Sequence, residues 1–135
     1  MKKQLVIIGI IAILVTVELS GCQTESEEDG QFKANLYVSR EKLNTIQDNI
    51  MDAVNNQDMT SFQSLCTQLK INAKASTEMI KNNDISSKFQ SAKTEYLAYL
   101  DDLWYAGYYG EQGDADSYID YYSKAVAHYT AIDLP

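Results

Sequence analysis

From Phe32 to Tyr129 apolar residues recur at steps of three and four, and no proline interrupts them, because the chain's only proline is its last residue, Pro135. Such spacing keeps apolar side chains on one stripe of an α-helix, with polar residues on the other side. The first stripe holds Phe32, Leu36, Leu43, Ile46, Ile50, Ala53 and Val54, with Arg40, Lys42, Gln47, Asp48 and Asp52 facing away. The second holds Phe62, Leu65, Cys66, Leu69, Ala73, Ser76 and Ile80. The third holds Phe89, Ala92, Tyr96, Leu97, Tyr99, Leu100, Leu103 and Trp104, and the fourth Tyr118, Ile119, Tyr122, Ala125, Val126 and Tyr129.

Breaks in the pattern set the boundaries. Asn55-Asn56-Gln57-Asp58 interrupts the first stripe, and Thr60 with Gln63 has capping-box spacing, Asp58 being the alternative cap. Ser87 with Gln90 repeats that spacing after Asp84-Ile85-Ser86. Gly107 and Gly110 read as the stop of the third helix, where glycine takes the left-handed conformation that closes a helix. Asp114 or Asp116 opens the fourth. These signals predict helices over about 32–56, 60–82, 86–109 and 115–132. No segment alternates with period two. Short connections favour antiparallel neighbours, so the expected fold is an all-α, up-down-up-down four-helix bundle over residues 32–135.

The N-terminal part has another logic. Lys2 and Lys3 precede an apolar run over residues 5–17, which Glu18 interrupts short of the roughly 20 apolar residues a spanning helix needs. Leu19-Ser20-Gly21-Cys22 follows directly. This segment resembles the lipobox of prokaryotic membrane lipoproteins. The resemblance covers the signal segment alone and implies removal of residues 1–21, a diacylglycerol thioether on Cys22, and an extracytoplasmic position at the cell surface or in the periplasm. Burying acyl chains is worth about 0.8 kcal/mol per methylene, so two chains anchor stably where one holds reversibly.

Loss of Lys2, Lys3 and Glu18 with the signal segment moves the formal charge from −8 to −9. An acidic chain with a single arginine, Arg40, is unsuited to nucleic acid or to anionic lipid, so the membrane contact is expected through the lipid on Cys22 alone. Residues 22–31, acidic and without large apolar side chains, read as a flexible tether of about 15–20 Å mean span.

Residues that could carry chemistry are few. His128 is the lone histidine, one position off the fourth stripe, with Ala125 and Lys124 where a bundle metal site would need carboxylates. Asp114-Ala115-Asp116-Ser117-Tyr118 opens like a calcium loop, but Tyr118 stands where a third oxygen ligand is wanted. Asp101 and Asp102 are adjacent, so they point in different directions and read as a solvated face. Cys66 reads as a small buried hydrophobe. No catalytic residue, metal or cofactor is expected, and the chain reads as a non-enzyme.

The unusual feature is aromatic: the lone tryptophan and nine of the ten tyrosines fall between Tyr96 and Tyr129. Tyr96, Tyr99, Tyr118, Tyr122 and Tyr129 are the natural inward positions. Trp104-Tyr105 and Tyr108-Tyr109 subtend too wide an arc to be buried together. If the tether enters at helix one, residues 104–118 lie at the end farthest from the bilayer. Two readings are open there. The rings fill a small core at the loop, or they form a tip that binds a partner protein or surface glycan through Trp104, Tyr105, Tyr108, Tyr109, Tyr118 and Tyr121. A structural or accessory role in a membrane complex, using the outer helix faces, is the alternative.

Overall fold

In the computed structural model, which describes residues 26–135, the four periodic segments are helices: α1 (Glu27–Asn55), α2 (Met59–Lys81), α3 (Gln90–Glu111) and α4 (Ala115–Thr130), with a single 3₁₀ turn (Ser87–Phe89) leading into α3. The described residues contain no strand, and the architecture is an all-α helical bundle. Cys22 and the signal segment lie outside the described residues.

Helix α1 begins five residues before the predicted start at Phe32. Ser26 caps it, its Oγ accepting from the Asp29 amide at 3.2 Å, and Glu27, Glu28 and Asp29 sit against the positive end of the helix dipole. Asp29 is 1% exposed, and its carboxylate accepts from the amide and hydroxyl of Ser86 at 2.7 and 2.6 Å. The acidic run over 27–31 is therefore a docked helix start and not a tether. Its apparent solubility was misleading because the partner lies 57 residues away.

Two predicted capping boxes do not form. Asp58 caps α2 by accepting from the Ser61 amide and hydroxyl at 3.0 and 2.6 Å, which frees Gln63 to donate to the Glu111 carbonyl at 3.4 Å. Ser86 spends its hydroxyl on Asp29, and the chain winds through the 3₁₀ turn before α3. Asp114 caps α4, accepting from the Ser117 amide at 3.0 Å.

Gly107 and Gly110 are not the end of α3. Both are buried within it, against α2. A Cβ on Gly107 would stand 2.7 Å from the Cys66 carbonyl oxygen and 2.7 Å from the Lys70 amide nitrogen. On Gly110 it would stand 2.3 Å from Cys66 Sγ. Absent side chains let the two backbones approach, and the helix stops at Gly113, whose φ of +80° supplies the left-handed step.

Helix α3 is the centre of the bundle, packing on α2 and on α4, while α1 packs on α2. The buried layer runs through Phe32, Leu43 and Ile50 of α1, Leu69 and Ile80 of α2, and Leu100 and Leu103 of α3. Long tyrosines of α3 span the remaining distance to α1: the Tyr96 hydroxyl lies 2.6 Å from Ser39 Oγ, and Gln47 donates to the Tyr99 hydroxyl at 3.2 Å. Buried phenols need such partners, and no described buried side-chain nitrogen or oxygen lacks one. Only Tyr118 and Ala125 of α4 are fully buried, and Ile119 and Val126, predicted on its inner stripe, are exposed. Helix α4 packs extensively on α3 and meets the other helices at single side chains, Tyr118 against Phe62 of α2 and Tyr129 under Arg40 of α1.

The ends fix the direction of the helices. Phe32 meets Phe89 at 6.0 Å between ring centroids, and Asn35 donates to Asn83 at 2.9 Å, at the end where α1 begins. At the opposite end the start of α2 meets the end of α3, where Lys70 pairs with Glu111 and Thr67 donates to Glu111 at 3.1 Å.

Candidate functional site

Five aromatic side chains form one continuous patch across the outer surface of α3 and α4. On α3, residues four apart share a face, which places Trp104 over Tyr108, stacked at 5.5 Å and 13°. Tyr105 stands edge-on to Trp104 at 5.0 Å, and Tyr109 edge-on to Tyr108 at 5.2 Å. Tyr121 of α4 closes the patch by stacking on Tyr105 at 5.1 Å and on Tyr109 at 5.5 Å. Tyr105 and Tyr108 are 37% and 39% exposed, and Trp104, Tyr109 and Tyr121 are half-buried.

Tyr118, the sixth predicted member, is elsewhere. It is 8% exposed, edge-on to Phe62 at 5.3 Å and stacked on Tyr122 at 5.8 Å, so it belongs to the core. Its position three residues before Tyr121 rotates it inward, and burial pushes its phenol well above the usual range. Tyr99 behaves likewise, pushed up to about 12 by burial. Tyr96, Tyr99 and Tyr118 are core, Tyr122 and Tyr129 are partly buried against it, and the five rings of the patch are partly open to solvent.

The patch also sits differently from the predicted tip. Trp104 lies seven residues before the last residue of α3, about 10 Å along the axis, and Tyr121 is in the second turn of α4. The rings face sideways from the half of the bundle opposite the start of α1.

Cations border the rings. Lys124 Nζ lies 4.5 Å from the Tyr121 centroid and 3.0 Å from Asp120, whose hydrogen bond raises the lysine's pKa. Lys70 lies 5.9 Å from the Tyr108 centroid. Its partner Glu111 titrates below the usual carboxylate range, held there first by the hydrogen bond from Lys70 and then by Thr67.

His128, one position off the fourth stripe, joins α4 to α3. Its Nδ1 lies 2.7 Å from Glu95 Oε2, and its Nε2 3.7 Å from Asp102 Oδ2. Burial lifts the Asp102 carboxyl above its ordinary value, with Asp101 adding to the rise and His128 opposing it. The spacing of Glu95 and Asp102, two helical turns apart, was the signal in the sequence for a residue bridging to them.

The remaining candidates are inert. Cys66 is fully buried, and burial pushes its thiol up to about 12, with Glu111 contributing. Asp114, the opening of the calcium-like stretch, is committed to capping through Ser117. Among the described residues no three His, Cys, Asp or Glu side chains are arranged to hold a metal ion, and no helix is long and apolar enough to cross a membrane. An open polar cleft of about 550 Å³ lies between the end of α1 and the start of α2, lined by Asn49, Asp52, Asn56, Ser61, Ser64 and Gln68. Asp58 also lines it, and accepts from the Ser61 hydroxyl at 2.6 Å as part of the cap of α2.

Comparison with protein-family models, curated proteins and solved structures finds no match.

Proposed function

We propose that this protein is a lipid-anchored module on the extracytoplasmic side of the membrane, and that it recognises a macromolecular partner through the patch of Trp104, Tyr105, Tyr108, Tyr109 and Tyr121, without catalysis. The carrying observation is that five rings, joined edge to face and face to face, stay partly open to solvent when the core already holds three other tyrosines. Tyrosine and tryptophan offer large amphipathic contact area with little side-chain entropy to lose, which is why they concentrate the energy of protein interfaces. The partner is a protein or a surface glycan.

A pull-down from native membranes tests this. Tyr105→Ala/Tyr108→Ala is expected to lose a specific partner that the wild type retains, with unchanged helical circular dichroism. An identical partner list for the two proteins would refute recognition by the patch.

A second reading, an accessory subunit packing through its outer faces, draws support from the exposed Met51 and Val54 of α1 and Ile119 and Val126 of α4. That reading predicts partner loss from Ile119→Ser/Val126→Ser and none from the tyrosine variant.

A further inference from the structure

The acidity of the chain is not spread evenly. Residues 32–89 carry seven Lys and Arg against six Asp and Glu, whereas residues 90–135 carry Lys93 and Lys124 against eight carboxylates. Among the described residues the larger excess falls on α3, α4 and the tail, the part that bears the rings, and a smaller one on Glu27, Glu28 and Asp29 at the start of α1. Within the patch, Asp101 lies three and four residues before Trp104 and Tyr105, so the exposed carboxylate and those two rings share one face of α3. Glu111 and Asp120 have lysine partners, but no cation of the described chain lies within ion-pair distance of Asp101.

The rings themselves accept cations. Lys124 already sits over Tyr121 and Lys70 over Tyr108, whereas no cation of the described chain is placed over Trp104 or Tyr105, the two rings beside Asp101. A neutral sugar would leave the Asp101 carboxylate without a counter-charge, whereas a cation supplies one. A planar guanidinium suits this site better than an ammonium: it stacks on an aromatic face and can also donate two parallel hydrogen bonds to one carboxylate.

Resting on the recognition reading above, we propose that the partner is a protein, and that it presents a basic, arginine-bearing segment to Asp101, Trp104, Tyr105 and Tyr108. The carboxylate takes the guanidinium, and the rings cover its plane and the flanking side chains.

Trp104 is the only tryptophan and reports directly on the site. The full chain in nonionic detergent is titrated with three tryptophan-free peptides of equal length, carrying arginine, its neutral isostere citrulline, or glutamate, and with a chito-oligosaccharide as the glycan probe. The arginine peptide is expected to change Trp104 emission saturably and to lose affinity as salt is raised. Asp101→Asn and Tyr105→Ala/Tyr108→Ala should each weaken it at least about threefold, while Asp48→Asn, the same charge change on exposed α1, leaves it unaltered. Equal binding of the citrulline peptide, equal loss from Asp48→Asn, no response to any peptide, or response to the oligosaccharide alone would each overturn the proposal. A native partner that depends on Tyr105 and Tyr108 but is indifferent to Asp101→Asn would sink the arginine inference and leave recognition by the patch standing. A partner indifferent to the tyrosines would sink both.

Discussion

At Gly107 the α-carbon hydrogen of α3 faces the backbone of α2, and the atoms that a methyl group would strike are the Cys66 carbonyl oxygen and the Lys70 amide nitrogen, each at 2.7 Å. Neither can move without its helix. On an exposed helix Gly→Ala gains up to about 1 kcal/mol of propensity, but overpacking a tight contact costs about 1–3 kcal/mol, and here the clash is with backbone on both sides. Gly107→Ala should therefore lower the urea midpoint. At Gly110 the nearest atom is Cys66 Sγ, so Cys66→Ala should recover part of the loss in Gly110→Ala but none of that in Gly107→Ala. A Gly107→Ala protein more stable than wild type would show that the helices are not this close. The spacing of residues 107 and 110 carried no sign of this role. A glycine that ends a helix and one that admits a neighbour look alike in sequence, and only the small residue opposite them, Cys66 on the second stripe, hinted at a close approach. Similarly, Tyr118 and Tyr121 both lie near the edge of the apolar arc of α4. The packing of Phe62 decides that the first is core, and the five-ring patch that the second is surface.

Helix existence was legible from periodicity, and helix ends were not, because the ends depend on which oxygen reaches which amide. Asp58 and Asp114 do this locally through Ser61 and Ser117, a contact three residues long that the sequence shows among its alternatives. Asp29 does it across the bundle. Burial pushes its carboxyl up, but the hydroxyl and amide of Ser86, then Ser26 and Lys88, outweigh burial and hold it below its ordinary value. Hydrogen bonds from their capping serines, Ser61 and Ser117, likewise lower Asp58 and Asp114. A carboxyl whose pKa is depressed in the folded state contributes stability that is present above its unfolded pKa and lost as pH falls through the folded one. Stability should thus be flat at neutral pH and decline once pH drops below the ordinary aspartate value of 3.8. Asp29→Ala removes the clasp between the start of α1 and the α2–α3 connection, leaving the Ser86 amide without its acceptor, and should cost about 2 kcal/mol at pH 7. Its acid limb should be shallower than that of the wild type, because one of the linked protons is gone. Thermal melts from pH 2.5 to 7 follow both effects. A variant with wild-type stability at neutral pH would mean that the first turn of α1 is not docked.

The molecule as a whole has two dissimilar ends, and the docked start of α1 sharpens the difference. A tether over 22–31 would have let the bundle swing about a loose leash. With the helix beginning at Glu27 and Asp29 clasped to Ser86, residues 22–25 are all that separate the proposed thioether at Cys22 from the cap at Ser26. Residue Gln90 starts α3 near that end, and Trp104 stands fourteen residues further, about 21 Å along the axis. A lipid on Cys22 would then keep the ring-bearing flank closer to the headgroups than a tether over 22–31 would, open sideways to a partner in the same membrane as readily as to one beyond it. Among the described residues no helix is long and apolar enough to cross a membrane. Cys22→Ser in the native host is therefore expected either to stall as the unprocessed precursor or to leave the membrane fraction, in both cases without loss of helical structure over residues 26–135. A released form that still binds its partner through Tyr105 and Tyr108 would show that the anchor sets location and not affinity. A Cys22→Ser protein that remains with membranes at mature size would show that attachment does not run through Cys22, and the distance of the rings from the bilayer could not then be counted from that residue.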